Sequence, residues 1–236
     1  RLPVFPSVFG AAAGLVYHTY GERALVQSLF AVATTPQVVL GLGVDEAAGD
    51  PIAARAVAGV GERPYLVCVG RVDDQKGCGA LWRSFLAYKR RRPGPLALVL
   101  AGQVVDRPPD DPDLFLTGPV DEATKWGLYA GSLGVVSPSA MESFSLLVVE
   151  GWTAGVPVIV NGRCPATVEH CRRSAGGLWF DGYAQFEAVL DRFTADADLR
   201  GRMADRGRRY VAANFAWPVL IERYRRFCEQ VAARAA

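Results

Sequence analysis

The residues that build metal and redox sites are scarce or badly spaced in this sequence. Of its 236 residues only two are histidine, and the five cysteines lie at positions 68, 78, 164, 171 and 228. They are odd in number, and no two show the C-x2-C spacing of a zinc or redox site. We therefore interpret them as buried or idle thiols of a reducing compartment and expect a cytoplasmic protein.

An excess of charge of one sign is also lacking. The 26 basic residues face 24 acidic ones, for a net charge of +2. No overall field therefore draws the chain to nucleic acid, and we predict no nucleic-acid partner. The longest uncharged run, residues 2–21, is broken by prolines and glycines and has no basic leader. It predicts neither a membrane span nor a signal peptide, so we expect a soluble chain; contact with a membrane surface stays open.

What the sequence does contain is globular composition, with 50% hydrophobic and 21% charged residues. Its length fits one large domain, or one domain with a piece of a second. The sequence begins with Arg1, and its only methionines are Met141 and Met203. We therefore expect it to be a fragment of a longer protein.

From about residue 65, short apolar runs alternate with helical patterns. Each run is too short for a helix and too uniformly apolar for a strand with one wet face, which predicts strands covered on both faces. The runs are 65–69, 96–101, 114–116, 133–136, 156–160 and 177–180. Helices are predicted at 77–90, 121–131, 144–155, 165–173, 183–194, 197–213 and 217–234, with Asp121 and Ser143 as N-caps. This alternation predicts an α/β fold, a doubly wound, Rossmann-like parallel sheet with helices on both faces.

Open parallel sheets bind ligands at the carboxyl ends of their strands, and three predicted ends are of interest. The first is VGRVDDQKG, in which Gly70 and Arg71 follow a strand and Lys76 precedes a helix. Glycine lets a ligand approach the backbone, and two cations beside a helix amino terminus suit a phosphate group. A solvated turn with surface charges is the alternative interpretation.

The second is PSAMESFSLLVVE, residues 138–150, where a helix is predicted to begin near Phe144. The backbone amides of Phe144, Ser145 and Leu146 would then be free donors for phosphate oxygens. Glu142 precedes this turn and Glu150 lies inside the helix, so a carboxylate flanks the anion site on each side. A nucleotide sugar has hydroxyls on both sides of a diphosphate, and it would place its sugar at Glu142 and its ribose at Glu150.

Both glutamates also have plainer interpretations. Glu142 could be a helix-start charge that the dipole favours, and Glu150 a single polar residue on a buried helix. Because an unpartnered buried charge is costly, we infer that ligand hydroxyls reach Glu150. The third strand end is LTGPV, with Gly118 and Val120, where a nucleotide base could meet main-chain groups. Turn geometry alone would explain that segment equally well.

Together with VEH (168–170) and GGLWF (176–180), these segments follow a specific order along the chain. The set resembles the C-terminal, donor-binding domain of family 4 glycosyltransferases, which have the GT-B fold. The resemblance covers about residues 38–228, and the E-x7-E spacing of Glu142 and Glu150 is its most specific part. Ser145 is a departure, because the family more commonly has glycine there.

The resemblance implies a retaining, hexosyltransferase-type glycosyltransferase, of which this chain is mainly the donor-binding lobe. The donor would be a UDP-sugar or a GDP-sugar, with no metal or other cofactor required. The acceptor, a saccharide, lipid or small molecule, is left open. The residues implied to act in catalysis are Arg71, Lys76 and Glu142. The residues implied to bind the donor are Gly70, Arg71, Lys76, Gly118, Val120, Glu142, Phe144, Ser145, Leu146 and Glu150.

The resemblance also implies a domain organisation. Residues 1–40 would be a remnant of the N-terminal acceptor domain and a hinge, 41–214 the donor-binding domain, and 215–236 a helix that crosses back onto the N-terminal lobe. That lobe often supplies a catalytic histidine in the family, and His18 is the only histidine in the N-terminal piece. A histidine without a catalytic role is the simpler interpretation of His18.

Two other functions stay open. A sugar-nucleotide epimerase shares the two-lobed architecture and would alter the donor sugar without using an acceptor. A sugar-nucleotide-binding fragment would bind the same donor without activity of its own, because both lobes are needed to close the cleft.

Overall fold

The computed structural model describes residues 4–235 of the chain, so the outermost residues of both predicted terminal segments lie outside the described part. The strands are β1 (Leu15–Tyr17), β2 (Gln37–Val39), β3 (Tyr65–Val69), β4 (Ala97–Ala101), β5 (Leu114–Gly118), β6 (Gly134–Ser137), β7 (Val158–Asn161) and β8 (Gly177–Phe180). The helices are α1 (Val4–Ala11), α2 (Tyr20–Leu29), α3 (Pro51–Ala58), α4 (Cys78–Arg91), α5 (Glu122–Ala130), α6 (Leu146–Thr153), α7 (Pro165–Ser174), α8 (Tyr183–Ala195), α9 (Ala197–Asn214) and α10 (Trp217–Ala235).

Strands β3 to β8 form one six-stranded parallel sheet in the order β5-β4-β3-β6-β7-β8. The chain builds outward from β3 in one direction and then returns to place β6 on the other side of β3. The gap between the carboxyl ends of β3 and β6 is therefore the topological switch point, where open α/β sheets form a crevice. The predicted α/β class and parallel sheet are confirmed.

The sheet is buried on both faces, as the apolar runs predicted. Tyr65 and Val67 of β3 contribute to one core, with residues of α3, α5 and α6. Leu66 and Cys68 contribute to the other core, with residues of α4 and α8. Alternate residues of one strand thus reach opposite faces, and each face is covered by helices.

Helices α1 and α3 and strand β2 lie where no helix or strand was predicted. Helix α3 carries ordinary start signals: the Asp50 carboxylate accepts a hydrogen bond from the Ile52 amide at 2.8 Å, and Pro51 occupies the first turn. Strand β2 overlaps residues 38–45, the segment that the sequence suggests as a connector between two lobes, and it pairs in parallel with β1 over three residues. A three-residue strand has too little sequence to show a period of its own.

The N-terminal part contacts the large sheet domain through polar and apolar contacts. At the start of α2, the amides of Tyr20 and Gly21 donate to the two carboxylate oxygens of Glu169 in α7, at 3.0 and 2.7 Å. This places a negative charge at the positive end of a helix. The Arg173 guanidinium, one turn further along α7, lies 4.2 Å from the Tyr20 ring centroid.

The last helix packs against the same N-terminal part. A Cβ atom added at Gly14 would lie 2.8 and 2.9 Å from side-chain atoms of Val231 and Phe227 in α10. The connector also contacts this region, since the Trp217 indole donates to Asp45 at 2.6 Å. The predicted boundaries 1–40, 41–214 and 215–236 stay a prediction. Within residues 4–235, no helix has both the length and the apolar character needed to cross a bilayer.

Gly102 follows β4, and a substitution at this position tests how closely the ends of β3 and β4 approach each other. It has φ +143°, and an added Cβ would lie 2.0 Å from the Gly70 carbonyl oxygen. We expect Gly102→Ala to lower the free energy of unfolding by about 3 kcal/mol or more, since backbone strain and a clash with main chain add together. Urea denaturation measures the loss.

Gly59→Ala is the matched control, because Gly59 has φ +67° but no atom within 4 Å of an added Cβ. It should show only the conformational strain, about 1–2 kcal/mol. Equal losses in the two variants would contradict the close approach of Gly102 to Gly70.

Candidate functional site

A cleft of about 190 Å³ opens at the switch point between β3 and β6. One wall is the loop after β3, and the other is formed by the loop after β6 and the start of α6. The predicted site residues in its lining are Gly70, Arg71, Lys76, Glu142, Ser145 and Leu146. Six of the ten predicted donor-site residues are thus brought to one cavity, while Gly118, Val120, Phe144 and Glu150 are not in its lining.

The loop after β3 is held by a residue that the sequence analysis missed. Asp73 is buried, and one of its carboxylate oxygens accepts a hydrogen bond from the Lys76 amide at 2.7 Å. The other oxygen forms an ion pair with the Arg71 guanidinium. One carboxylate therefore fixes the two cations of the loop, one through its side chain and the other through its main chain. The signal was present, because Asp73 is an N-cap type residue immediately before the short 3-10 turn Asp74–Lys76.

Lys76 reaches across the cleft to the opposite wall. Its ammonium lies 2.9 Å from a carboxylate oxygen of Glu142, in the loop after β6. Lys76 was predicted to bind phosphate and Glu142 to bind sugar, and the structure places these two groups in direct contact. A ligand that used both groups would therefore place its phosphate and its sugar next to each other, between the two walls of the cleft.

The start of α6 differs from the prediction. The helix begins at Leu146 with Ser145 in the N-cap position, so the predicted cap at Ser143 and start near Phe144 are wrong. Ser145 has φ +76°, a left-handed conformation that glycine adopts without strain and that other residues rarely take. This accounts for the glycine that the resembled family commonly has at this position. The first-turn amides, from Leu146 onward, lie at the cleft wall.

Phe144 belongs to an aromatic cluster behind the cleft. Its side chain is buried, with its ring centroid 4.8 Å from that of His170 and 4.9 Å from that of Phe215. Both contacts have edge-to-face geometry, which aromatic rings favour. The ring of Phe144 thus anchors the segment just before α6 to α7 and to the α9–α10 junction, while its predicted role in binding phosphate stays a prediction.

Glu150 has partners within the chain, which corrects the explanation given for its burial. One carboxylate oxygen accepts from the Lys125 ammonium at 3.0 Å, and the other from the Tyr129 hydroxyl at 2.9 Å. Burial raises the pKa of Tyr129 well above its usual value, and the negative charge of Glu150 adds to that rise. The inference that only ligand hydroxyls make this glutamate tolerable is wrong; its role at the ribose stays a prediction.

Gly118 and Val120 lie at the end of β5, the outer strand of the sheet. The Gly118 carbonyl accepts from the Gly102 amide at 2.8 Å, and Val120 packs against the core. The next helix, α5, carries Lys125, so this end of the sheet is linked to Glu150. A base-binding role for Gly118 and Val120 stays a prediction.

Neither histidine lies in the lining of the cleft. His170 is buried in α7, where its Nδ1 is 3.1 Å from the Tyr210 hydroxyl. Burial lowers the pKa of His170 to about 4, so the ring is neutral near pH 7. His18 follows β1 and lines a separate, narrow cavity together with His170 and Glu169. His18 is therefore not in the lining of the cleft, although its ring centroid lies 6.4 Å from that of Phe144 behind it. A role of His18 toward an acceptor is untested.

Comparison with known proteins points to one family. Residues 63–195 match the family described as glycosyl transferases group 1. The D-inositol 3-phosphate glycosyltransferase of Salinispora arenicola is 31% identical over 195 residues, which cover 72% of this chain and 43% of that protein. The GDP-mannose-dependent alpha-(1-6)-phosphatidylinositol monomannoside mannosyltransferase of Mycobacterium tuberculosis is 28% identical over 223 residues, covering 82% of this chain and 57% of that protein. The chain thus spans about half the length of these relatives.

Solved structures show the same fold at low sequence identity. Sucrose-phosphate synthase from Thermosynechococcus elongatus has a TM-score of 0.77 at 20% identity, covering 98% of this chain and 61% of that one. A trehalose-6-phosphate protein from E. coli, described as bound with UDP-2-fluoro glucose, has a TM-score of 0.75 at 12% identity, covering 96% of this chain and 64% of that one. These likenesses support the fold that the sequence analysis predicted.

The partners of Glu150 generate a prediction about stability. We expect Glu150→Ala to lower the free energy of unfolding by about 1–3 kcal/mol without any ligand, because the Tyr129 hydroxyl loses its acceptor in a buried site. Glu122→Ala is the matched control, since Glu122 also pairs with Lys125 but its side chain is 77% exposed against 16% for Glu150. The control should change stability by at most about 0.5 kcal/mol. Urea denaturation measures both losses. A loss for Glu150→Ala as small as the one expected for the control would contradict a structural role of Glu150.

The neutral His170 generates a prediction about pH. The unfolded chain takes up a proton at this ring near pH 6.5, whereas the folded chain does so only near the pKa of about 4. Protons therefore favour the unfolded state in this window, and His170 should reduce stability as the pH falls from 6.5 towards 4. The free energy of unfolding should therefore depend less steeply on pH in His170→Gln than in the unsubstituted protein. We expect the difference between the two slopes to be up to about 1.4 kcal/mol per pH unit.

The free energy of unfolding in urea, measured in steps between these pH values, gives the slope for each protein. His18→Gln is the control, because its ring is partly exposed. Parallel pH curves for His170→Gln and the unsubstituted protein would contradict the burial of a neutral ring.

Proposed function

Since the chain belongs to the glycosyl transferases group 1 family, we propose that it is the donor-binding part of a retaining glycosyltransferase. Such an enzyme moves a sugar from a nucleoside diphosphate to an acceptor. The observation that carries this proposal is the meeting of Arg71, Lys76 and the first turn of α6 in one cleft at the switch point of the sheet.

The cleft chemistry suits a diphosphate. Arg71 presents a guanidinium held by Asp73, Lys76 an ammonium, and α6 the positive end of a helix. The three come from two loops on either side of the switch point, so a diphosphate between them would be contacted from both walls. Because fixed cations meet the charge of the ligand, the proposal includes no metal or other cofactor.

The same groups would act in the reaction. As the bond between sugar and phosphate breaks, negative charge grows on the leaving nucleoside diphosphate. Groups already aimed at this charge stabilise the transition state more than the ground state. Arg71, Lys76 and the amide of Leu146 are assigned this role.

Glu142 is assigned to the donor sugar. Its carboxylate accepts hydrogen bonds, and sugar hydroxyls are donors. Because Glu142 already pairs with Lys76 at 2.9 Å, a bound donor would give the ammonium a phosphate partner and release carboxylate lone pairs for the sugar. Glu150, held by Lys125 and Tyr129, is assigned to the ribose diol.

The proposed partners are a nucleotide-sugar donor and an acceptor that is a saccharide, lipid or small molecule. Uridine and guanosine are the proposed bases. The name of one relative specifies GDP-mannose, and one structural neighbour is described with a uridine diphosphate sugar bound. We assign the protein to the cytoplasm, because four of its five thiols are unpaired and buried.

A second candidate is a sugar-nucleotide-binding unit without activity of its own. It is favoured by one observation, namely that the chain spans about half the length of its relatives. Incubation with labelled donor and candidate acceptors separates the two candidates, since only a transferase forms a labelled product. An altered sugar released without acceptor would instead identify an epimerase.

The proposal predicts that the cleft binds the diphosphate group itself. Calorimetry with UDP, GDP, UMP and GMP should show binding of at least one diphosphate, and the matching monophosphate should bind about tenfold more weakly or worse. Arg71→Ala and Lys76→Ala should weaken diphosphate binding and reduce this difference. Arg107→Ala is the control, because Arg107 is an exposed arginine on the loop between β4 and β5.

In the transfer reaction, each of the two cleft substitutions should lower kcat by roughly 10²–10³. A change confined to KM would contradict their assignment to the transition state. Failure of the unsubstituted protein to bind any nucleoside diphosphate would overturn the proposed donor site.

A further inference from the structure

An open cavity of about 780 Å³ lies away from the cleft and has no part in the proposed transfer. Its lining includes residues 44–48 of the connector and residues around the α9–α10 junction, and no described residue lines both cavities. Helix α6 relates the two positions, because Leu146 at its start is in the lining of the cleft and Thr153 at its end is in the lining of this cavity. The two cavities therefore lie at opposite ends of α6, roughly 10 Å apart along the helix.

Trp217 gives this cavity an aromatic surface. It is the first residue of α10, it lies in the cavity lining, and it is 47% exposed. A Cβ atom added at Gly43 would lie 2.7 Å from both Cδ2 and Cε2 of the indole. Because these two atoms are shared by both rings, an atom so close to both lies above the ring face. Gly43 therefore covers one face of the indole, and the exposed part of the ring is its other face and its edge.

The indole is held in place by the connector. Its N–H donates to the Asp45 carboxylate at 2.6 Å. Immediately before it, Val44 forms a parallel bridge with Ala216, and the Val44 amide donates to the Phe215 carbonyl at 3.2 Å. The ring thus has a fixed position before any ligand binds. A contact surface that is already ordered costs little conformational entropy on binding.

The charged groups in the lining have both signs. Asp45 and Glu46 supply two exposed carboxylates, and Arg208 supplies a guanidinium that lies over Gly155, where an added Cβ would meet one of its nitrogens at 2.1 Å. The guanidinium would repel a cationic ligand, and the two carboxylates would repel an anionic one. A neutral ligand with hydroxyl groups suits all three, since a hydroxyl donates to carboxylates and accepts from guanidinium.

The exposed indole face adds a second requirement, namely an apolar face on the ligand. A pyranose ring meets both requirements, because it presents C–H groups on its faces and hydroxyl groups around its rim. It can therefore stack on an indole while its hydroxyls reach neighbouring polar groups. The volume of about 780 Å³ also lies within the range of roughly 300–1,000 Å³ that is typical of small-molecule sites.

We propose that this cavity is a second, non-catalytic site that binds a neutral oligosaccharide, with one sugar ring stacked on Trp217. A sugar bound here lies at the far end of α6 from Arg71 and Lys76, so it is neither the donor sugar nor the reacting end of an acceptor. The site goes beyond the proposed function, because binding at it requires no nucleotide and no bond is made or broken.

Saturation-transfer NMR tests binding directly, with maltotriose, cellotriose and mannotriose as the probes and no nucleotide present. At least one trisaccharide should bind, and the C–H protons of one of its rings should receive the strongest saturation. Neither UDP nor tetramethylammonium should displace it. Displacement by UDP would place the saccharide in the cleft, and displacement by tetramethylammonium would identify a cation site. Either displacement, or the absence of binding by all three trisaccharides, would overturn the proposal.

Substitutions locate the site. Trp217→Ala should weaken binding of the trisaccharide by at least about tenfold, whereas Trp217→Phe, which keeps an aromatic face, should weaken it by no more than about threefold. Trp179→Ala is the matched control, because Trp179 is 36% exposed but lies in β8, outside the cavity lining. A loss in Trp179→Ala as large as the loss in Trp217→Ala would overturn the assignment to this cavity.

A variant that adds bulk is measured beside Trp217→Ala, because the latter also removes the contacts with Gly43 and Asp45. Ala212 is exposed on α9 and lies in the cavity lining. Ala212→Trp should therefore fill the cavity and abolish binding while urea denaturation shows a folded protein. Undiminished binding in this variant would overturn the proposal. If no nucleoside diphosphate binds to the protein, the proposed donor site fails, whereas the saccharide result stands by itself.

Discussion

The buried carboxylate of Asp73 is the contact on which the site depends. It lies in the loop after β3, pairs with the Arg71 guanidinium and accepts the Lys76 amide at 2.7 Å. A carboxylate removed from water needs such partners, because an unpaired buried charge is strongly unfavourable. The pairing therefore works in both directions: the cations make the burial of Asp73 possible, and Asp73 fixes where they point. Because Asp73 fixes this loop, one wall of the cleft at the switch point carries two cations in defined positions. The start of α6 forms part of the opposite wall.

Both glutamates of the E-x7-E motif are paired with lysines, and this changes how a ligand would use them. Glu142 contacts Lys76 and Glu150 contacts Lys125, so neither carboxylate stands alone in the structure. A diphosphate bound near Lys76 would compete with Glu142 for the ammonium, and sugar hydroxyls would then satisfy the carboxylate. The proposed binding at Glu142 would thus be an exchange of partners rather than the burial of a new charge, which would avoid most of the desolvation penalty. Glu150 has a second partner, the Tyr129 hydroxyl, in addition to Lys125. A ligand would therefore replace only some of its contacts, and Glu150 would keep a structural role.

Much of the fold could be predicted from local patterns in the sequence, whereas the site could be predicted only in part. The strands are readable because their uniform apolar runs reflect burial on both faces, and Asp121 caps α5 as expected, accepting from the Thr124 amide at 2.8 Å. The predicted start of α6 was wrong because Ser145 adopts a left-handed conformation, which the presence of a serine does not predict. The partner of Glu150 could not be found locally either. Lys125 lies 25 residues earlier in the chain, in α5, and only the tertiary fold brings the two side chains together.

The aromatic cluster behind the cleft connects the cleft wall to the N-terminal part of the chain. Phe144, two residues before α6, packs edge-to-face on Phe215 at the α9–α10 junction. Gly41 of the connector fits between these rings, since an added Cβ would lie 2.7 Å from Phe144 and 2.6 Å from Phe215. Interiors packed this closely transmit displacement rather than absorb it. A movement of the connector against the α9–α10 junction would thus shift Phe144 and, with it, the first-turn amides of α6. The position of the N-terminal part and the geometry of the cleft wall are therefore coupled through Gly41, Phe144 and Phe215.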